Sequence, residues 1–188
     1  MKILKRTSFG NPILRQVARR LTPEEIGSPE IQQLIEGMYF TLDKKKYGVG
    51  LAAPQVGRSV AISAIHVQSM PWRPDVAEFR LTVINPEIVA TYGRRQSMWE
   101  GCISFCGDQK DFPYAKTLRY KRVRVCYLDE QGQQQEGDFD GLVAQILQHE
   151  TDHLNGILFV DRVRDNTTFI TTSEYNKRYR KKPMIKEV

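Results

Sequence analysis

The first strong pattern along the chain is an amphipathic stretch over residues 23–42. Apolar side chains recur there at helical spacing, at Ile31, Leu34, Ile35, Met38 and Leu42. Thr22 is a suitable N-cap residue, and Pro23 suits the first position of a helix. The glycines at positions 48 and 50 end the pattern. The sequence therefore predicts a helix from Pro23 to Leu42.

Several later stretches have the composition or the alternation of β-strands. One of them alternates polar and apolar side chains from residue 122 to 128, as a strand with one buried face does. The segment Asp129–Gly132 that follows suits a hairpin turn. The predicted strands are Val60–Val67, Arg80–Ala90, Arg122–Leu128 and Gln133–Phe139. Asn85 and Pro86 predict a break or bulge within the second of these strands.

A second strong helix is predicted after these strands. It begins at Asp140 or Gly141 and runs to about Leu154, where the Asn-Gly pair that follows can end it. A short apolar strand is predicted over Ile157–Val160. The order of helix, several strands, helix and strand favours an α+β fold. We expect mostly antiparallel β-sheets packed around the second helix, with the first helix N-terminal to them.

The composition indicates a globular protein of one domain. A chain of 188 residues can bury a core without disulfide support, and 40% hydrophobic with 27% charged residues is ordinary. No run approaches the roughly 18 apolar residues needed to cross a bilayer. The N-terminus also lacks the apolar core of a secretory signal, so we expect a cytoplasmic protein without a membrane partner. Three cysteines, an odd number, argue against a disulfide framework.

The net charge of +6 is unevenly distributed along the chain. From Glu174 to the end there are six basic and two acidic residues, a balance of +4 that leaves +2 for the rest. Basic residues concentrate over Lys116–Arg124 and over Lys177–Lys182, with five in each segment. Such segments are compatible with a polyanionic partner, and equally with a solvated tail that aids solubility.

The clearest candidate chemistry lies in the second predicted helix. His149 and His153 are four residues apart, so their side chains share one face of the helix. Two imidazoles at this spacing can bind one metal ion, and Glu150 can act as a general base toward a water that the ion activates. The alternative is a chance pair, but the chain has only three histidines. Leu142 and Ile146 continue the same stripe, which predicts a buried helix.

The motif alone does not identify a third metal ligand. No histidine follows His153, which argues against proteases that use three histidines. Glu174 could complete the site of a zinc peptidase, and Cys102 is the other candidate. A lone cysteine is more often a small buried apolar residue. A set of one cysteine and two histidines would by itself suit zinc.

Three segments together resemble the three signature motifs of peptide deformylases, in the same order. They are Gly48–Gln55 (GVGLAAPQ), Glu100–Ser104 (EGCIS) and Gln148–His153 (QHETDH). The resemblance extends over about residues 3–162. It implies a catalytic domain over residues 1–164, followed by a basic C-terminal tail over residues 165–188. One motif would be weak evidence, whereas three in order are highly specific.

The resemblance also implies a role for each matched position. One divalent metal ion would be held by Cys102, His149 and His153. Iron(II) is the expected native ion, with zinc, nickel or cobalt possible in a purified sample. Glu150 would move protons, while the side chain of Gln55 and the backbone N–H of Ile103 would donate to the oxyanion. The expected substrate-binding residues are Val49, Gly50, Glu100, Gly101, Leu142, Gln145 and Ile146.

The reaction implied is the release of formate from the N-terminal formylmethionine of nascent polypeptides. N-formylmethionyl peptides would be the substrates. The basic tail could contact ribosomal RNA, and no DNA partner is expected. A zinc peptidase using Glu174, or a related fold retained only for binding, are the alternatives. Neither accounts for all three motifs together with Glu150 and Gln55.

Two places depart from the family pattern. Cys106 replaces a proline that usually follows the second motif, and the loop over residues 105–116 is longer than usual. A substrate-contacting arginine expected near this loop has no clear counterpart, with Lys110 as the nearest candidate. Gln145 stands where many relatives have an aliphatic residue. These changes leave the predicted catalysis intact and bear on substrate selectivity, for which Phe105, Phe112 and Tyr114 could wall the cleft.

Overall fold

The computed structural model describes residues 2–45, 48–68, 77–105 and 111–179, so Cys106 and Lys110 lie outside the described residues. The helices are α1 (Pro23–Ile26), α2 (Pro29–Lys45), α3 (Gly141–Leu154) and α4 (Thr172–Tyr179). The strands are β1 (Gly50–Ala52), β2 (Ile62–Val67), β3 (Phe79–Gly101), β4 (Pro113–Leu128), β5 (Gln134–Asp140) and β6 (Ile170–Thr171). Within the described ranges, no helix is long and apolar enough to cross a membrane.

The strands form one sheet in the order β1-β2-β3-β4-β5, with β6 added beside β4. Every paired strand runs antiparallel to its neighbour, so the predicted α+β class is confirmed. Alternate residues of β2 face opposite sides of the sheet. Ile62 packs in the cluster that contains α2, whereas Ile65 packs against Ala144 and Leu147 of α3. The two long helices therefore cover opposite faces, and most residues of α3 are buried.

The predicted first helix is divided into two, which corrects the sequence interpretation. Thr22 caps α1 by accepting from the backbone N–H of Glu25, whose side chain accepts in return from the N–H of Thr22. Gly27 ends this turn, and the hydroxyl of Ser28 accepts from the N–H of Ile31 at the start of α2. A second capping residue inside the apolar pattern therefore starts a new helix.

The strands β3 and β4 are much longer than the sequence predicts, since β3 continues to Gly101 and β4 begins at Pro113. The predicted break in β3 is confirmed as a register shift between Ile84 and Glu87. Asn85 has a φ of 52° there, and its side-chain amide bonds both backbone groups of Leu21. Asparagine tolerates this conformation, and the two hydrogen bonds hold it in place.

The predicted strand over Ile157–Val160 is wrong. A short 3₁₀ helix occupies Phe159–Arg162 instead. The carboxylate of Asp161 accepts from the backbone N–H of Leu158 and so caps this turn at its N-terminus. A buried apolar run of four residues does not distinguish a strand from a helical turn, and here the local carboxylate determines the outcome.

Part of the predicted basic tail packs against the sheet. Strand β6 pairs with Pro113 and Tyr114 at the start of β4. The hydroxyl of Thr172 accepts from the N–H of Phe112 and donates to its carbonyl. Tyr175 of α4 stacks on Tyr114, with 4.6 Å between ring centroids. Residues 170–179 therefore form part of the folded structure around β4.

A buried chain of ion pairs connects α3 to the end of β3. Arg119 of β4 donates to both carboxylate oxygens of Glu100, at 2.8 and 3.0 Å, and to Asp152 of α3 at 2.5 Å. Arg162 donates to both oxygens of Asp152. Arg119, Glu100 and Asp152 are all buried. The arginine therefore supplies the positive charge that two buried acids require.

We expect Arg119→Met to lower the free energy of unfolding by about 3–5 kcal/mol, because two carboxylates would remain buried without this counter-ion. Urea denaturation followed by circular dichroism measures the change. Arg122→Met on the same strand is the matched control. Arg122 is exposed and pairs with Asp138 at the surface, so its loss should cost at most about 1 kcal/mol. Equal effects of the two substitutions would contradict this account.

Candidate active site

The three predicted metal ligands lie together in the structure. Among the described residues, Cys102, His149 and His153 form the one group whose possible ligand atoms are all within 4.8 Å of one another. The two histidines are one turn apart on α3, and Cys102 directly follows β3. The thiol lies 3.2 Å from Nε2 of His153. All three side chains are buried, so a site here excludes bulk water.

This set of atoms fits a divalent metal ion. Burial raises the pKa of the Cys102 thiol, but His153 and His149 outweigh burial and leave that pKa well below its usual value. The thiolate, which is the form that binds metals, is therefore favoured. Nδ1 of His149 lies 3.4 Å from Oε2 of Glu100, which orients the ring and leaves its other nitrogen for a ligand bond. One sulfur and two imidazole donors suit zinc or iron.

Glu150 lies beside this group in a confined position. Its carboxylate is so close to the backbone of Gly50 that a Cβ atom added there would meet Oε1 at 2.3 Å. Its Oε2 is buried and has no hydrogen-bond partner among the described residues. Burial raises the pKa of this carboxyl group. A carboxylate with a raised pKa and an unsatisfied oxygen is suited to accept a proton.

Gln55 is held in one orientation next to Cys102. Its Oε1 accepts from the backbone N–H of Ala52 at 2.7 Å, which directs the amide NH₂ toward the site. That group donates to Ser104 Oγ at 3.2 Å and lies 3.5 Å from the sulfur of Cys102. Ile103 begins the short 3₁₀ turn directly after Cys102. Of the two predicted oxyanion donors, Gln55 thus lies beside the thiol in space, and Ile103 directly follows Cys102 in sequence.

The structure places the residues of the predicted substrate cleft in different surroundings. Glu100 points inward, and although burial raises its pKa, the contacts with His149 and Arg119 lower that pKa to about 2. Gly101 faces the ring of Tyr114. The carbonyl of Val49 accepts from the backbone N–H of His66.

The predicted cleft residues on α3 face the sheet or bond to β3. Leu142 and Ile146 pack in the apolar cluster between α3 and the sheet. The side-chain amide of Gln145 donates to the carbonyl of Trp99 at 2.8 Å, which joins the helix to β3. Of these three residues, Gln145 is therefore the one whose bond reaches the part of β3 that leads to Cys102.

Glu174, the alternative third ligand, lies apart from the histidines. It is on α4, where its carboxylate accepts from Arg178 at 2.9 Å and lies 3.8 Å from the ammonium group of Lys177. It does not belong to the candidate metal group found among the described residues. The arrangement expected for a zinc peptidase that uses Glu174 is therefore not the one observed.

The sequence analysis assigned no role to the ion-paired residues next to the candidate ligands. Asp152 lies inside the third motif, yet its link to Arg119 and Arg162 was not foreseen. An acid between the two histidines of a buried helix was a usable signal, because a buried carboxylate requires a cation. The packing of Tyr175 near Trp99 was also missed, and its position in the predicted basic tail gave no comparable signal.

Comparisons with known proteins agree with this arrangement. The family model described as polypeptide deformylase matches residues 3–169. Peptide deformylase 2 of Nostoc sp. is 38% identical over 177 residues, which is 94% of each chain. A peptide deformylase of Chlorobium limicola is 41% identical over 156 residues, covering 83% of this chain and 78% of that protein.

Solved structures give the same result. A class I type b peptide deformylase of Acinetobacter baumannii, bound to Met-Ala-Ser, has a TM-score of 0.78 at 36% identity, covering 86% of this chain and 99% of its own. The peptide deformylase of Thermotoga maritima has a TM-score of 0.74 at 33% identity, covering 88% and 100%. Members of this family are metalloenzymes. The chain therefore belongs to the polypeptide deformylase family and is an enzyme that removes the N-terminal formyl group from nascent peptides.

Proposed function

We propose that Cys102, His149 and His153 hold one divalent metal ion, with iron(II) as the native ion. The observation that carries this proposal is the convergence of three buried donor atoms within 4.8 Å of one another, next to a buried carboxylate. Zinc, nickel or cobalt would suit the same donors in a purified sample. When bound, the ion would polarise the formyl group and lower the pKa of a water.

Glu150 moves the protons in this proposal. It takes a proton from the attacking water and then delivers it to the amine that leaves when formate is released. Its raised pKa suits both steps, because the group must accept and then donate near neutral pH. The amide of Gln55 and the backbone N–H of Ile103 donate to the oxygen of the formyl group as negative charge develops there. Gln55 does so without reorganisation, because Ala52 holds its amide in place.

The peptide lies between two backbone segments. Gly50 and Gly101, together with Val49, present strand backbone to an extended chain, and Leu142 and Ile146 contact the methionine side chain. Glu100 acts as a positioning residue, because its carboxylate is turned toward His149 and Arg119. Since such substrates arise at the ribosome, we also propose the cytoplasm as the place of action.

Glu150→Gln should keep the metal and lose turnover. Glutamine has the same shape but cannot accept a proton, so kcat should fall by about two to four orders of magnitude. Formate release from formyl-Met-Ala measures the rate, and elemental analysis measures the metal content. Loss of the metal together with activity would mean that Glu150 is a ligand and that the roles proposed here are wrong.

Cys102→Ala should abolish tight metal binding, because it removes the one sulfur donor of the group. Cys126→Ala is the matched control, since that thiol is only partly buried and lies beside Glu136 at the surface. Glu174→Ala should also retain the metal. Elemental analysis after dialysis against a weak chelator distinguishes the three variants. Retention of metal by Cys102→Ala would refute the proposed ligand set.

We further propose that the C-terminal basic residues contact ribosomal RNA. The other basic segment is less suited, because Arg119 is buried and Arg122 and Arg124 are paired with Asp138. Replacing Arg180, Lys181 and Lys182 together by glutamine should weaken ribosome co-sedimentation at low salt. The salt slope is the slope of the logarithm of the binding constant against the logarithm of the salt concentration. Each contact with a phosphate contributes about 0.7 to its magnitude, so the loss of three contacts should lower that magnitude by about two.

Deformylation of formyl-Met-Ala by this triple variant is the control, and it should stay unchanged. The three substitutions leave the described part of α4 intact, so they separate charge from folding. Co-sedimentation that persists at the same salt concentration would show that these charges are not the anchor.

A further inference from the structure

Helix α4 places a cluster of aromatic rings beside the strand that leads to Cys102. The cluster consists of Trp99, Tyr114, Tyr175 and Tyr179. Tyr175 stacks on Tyr114, and the ring centroids of Tyr179 and Trp99 are 5.0 Å apart. Tyr179 is 52% exposed, so the cluster is open to solvent on one side. The family model ends at residue 169, before α4 begins.

The backbone of β3 beside this aromatic cluster points to an uncovered strand edge. Lys116 faces Trp99 in the β3–β4 pair, but its backbone N–H donates to Thr168 Oγ1 instead. The carbonyl of Trp99 accepts from Gln145, on the side away from β4. Alternate residues of a strand direct their backbone groups to the same side, so Gly101 also presents its N–H and carbonyl there. In the described ranges, β2 pairs only with the beginning of β3 and leaves this edge open at Gly101.

An extended peptide on this edge directs successive side chains to opposite faces of the sheet. The side chain of Glu100 faces His149 and therefore marks the face covered by α3. Trp99 and Gly101, its neighbours in the strand, face the opposite side, where α4 lies. A methionine side chain directed toward α3 thus requires that the side chain of the second substrate residue point toward the aromatic cluster.

The geometry at Gly101 brings the side chain of the second substrate residue next to the ring of Tyr114. A Cβ atom added to Gly101 would meet the ring of Tyr114 at 2.7 Å, so this ring covers the face of the glycine. A residue paired opposite Gly101 has its own Cβ about 4.5–5.5 Å from the same position. Its side chain would therefore contact Tyr114, with Trp99 as the diagonal neighbour on the same strand.

We propose that the aromatic cluster binds the side chain of the second substrate residue and favours an aromatic residue there. The inference rests on the proposed function, because it takes the formyl group to lie at Cys102 and the methionine side chain to lie toward α3. Ring-to-ring contacts add to the burial of apolar area that any large side chain provides. Phenylalanine at the second position should therefore be preferred over leucine, which is apolar but has no ring.

The test compares kcat/KM for formyl-Met-Phe, formyl-Met-Leu and formyl-Met-Ala, measured by formate release. The wild-type enzyme should prefer the phenylalanine peptide over the leucine peptide by about two- to tenfold. Tyr179→Ala and Trp99→Leu should remove most of this preference through KM, with kcat unchanged. Tyr175→Phe should retain the preference, because it keeps the ring.

Tyr92→Ala is the matched control, since Tyr92 is an exposed tyrosine of the same strand at a distance from Cys102. It should leave the peptide ratios unchanged. Absence of a wild-type preference for phenylalanine overturns the inference, as does an equal loss of activity on all three peptides in the cluster variants. If the wild-type enzyme releases formate from formyl-Met-Ala, either of these results overturns the inference about the aromatic cluster and leaves the proposed function intact. No release from any of the three peptides would overturn the proposed function as well.

Discussion

One buried guanidinium joins the strand end and the helix that carry the proposed metal ligands. Arg119 holds Glu100, two residues before Cys102, and Asp152, the residue before His153. Desolvating a carboxylate costs several kcal/mol unless a cation compensates for it. Arg119 compensates for Glu100 and shares Asp152 with Arg162. The separation between β3 and α3 is therefore fixed by ion pairs behind the ligands. The ligands themselves need not draw the two elements together.

The part of the site that could be predicted from the sequence follows from local geometry. His149 and His153 share a helical face wherever their helix lies, and the predicted helix agrees with α3 as observed. The α+β class was likewise accessible, because strands with one buried face alternate in polarity. The position of Glu150 was not accessible in the same way. Its confinement against Gly50 depends on how closely β1 approaches α3, which no local pattern encodes.

The parts that could not be predicted depend on contacts between distant residues. Residues 91–97 of β3 are exposed and polar, so they carry no alternation, and pairing with β4 alone makes them a strand. Arg119 resembles its basic neighbours in sequence, yet its partners lie 19 and 33 residues away. Tyr175 stands in a segment whose charge suggested a solvated tail, whereas stacking on Tyr114 holds the helix against β4.

Gly50 and Gly101 each lack a side chain at a place where another side chain approaches the strand backbone. Gly50 lacks a Cβ where the carboxylate of Glu150 lies, and Gly101 lacks one where the ring of Tyr114 lies. Both strand segments can therefore offer only backbone groups to an extended peptide, and backbone groups recognise any sequence. Selectivity must then come from side chains on neighbouring elements. Helix α3 would supply them on one face, beside Glu150, the proposed proton-transferring residue. Helix α4 would supply them on the other face, on an element that carries none of the proposed ligands.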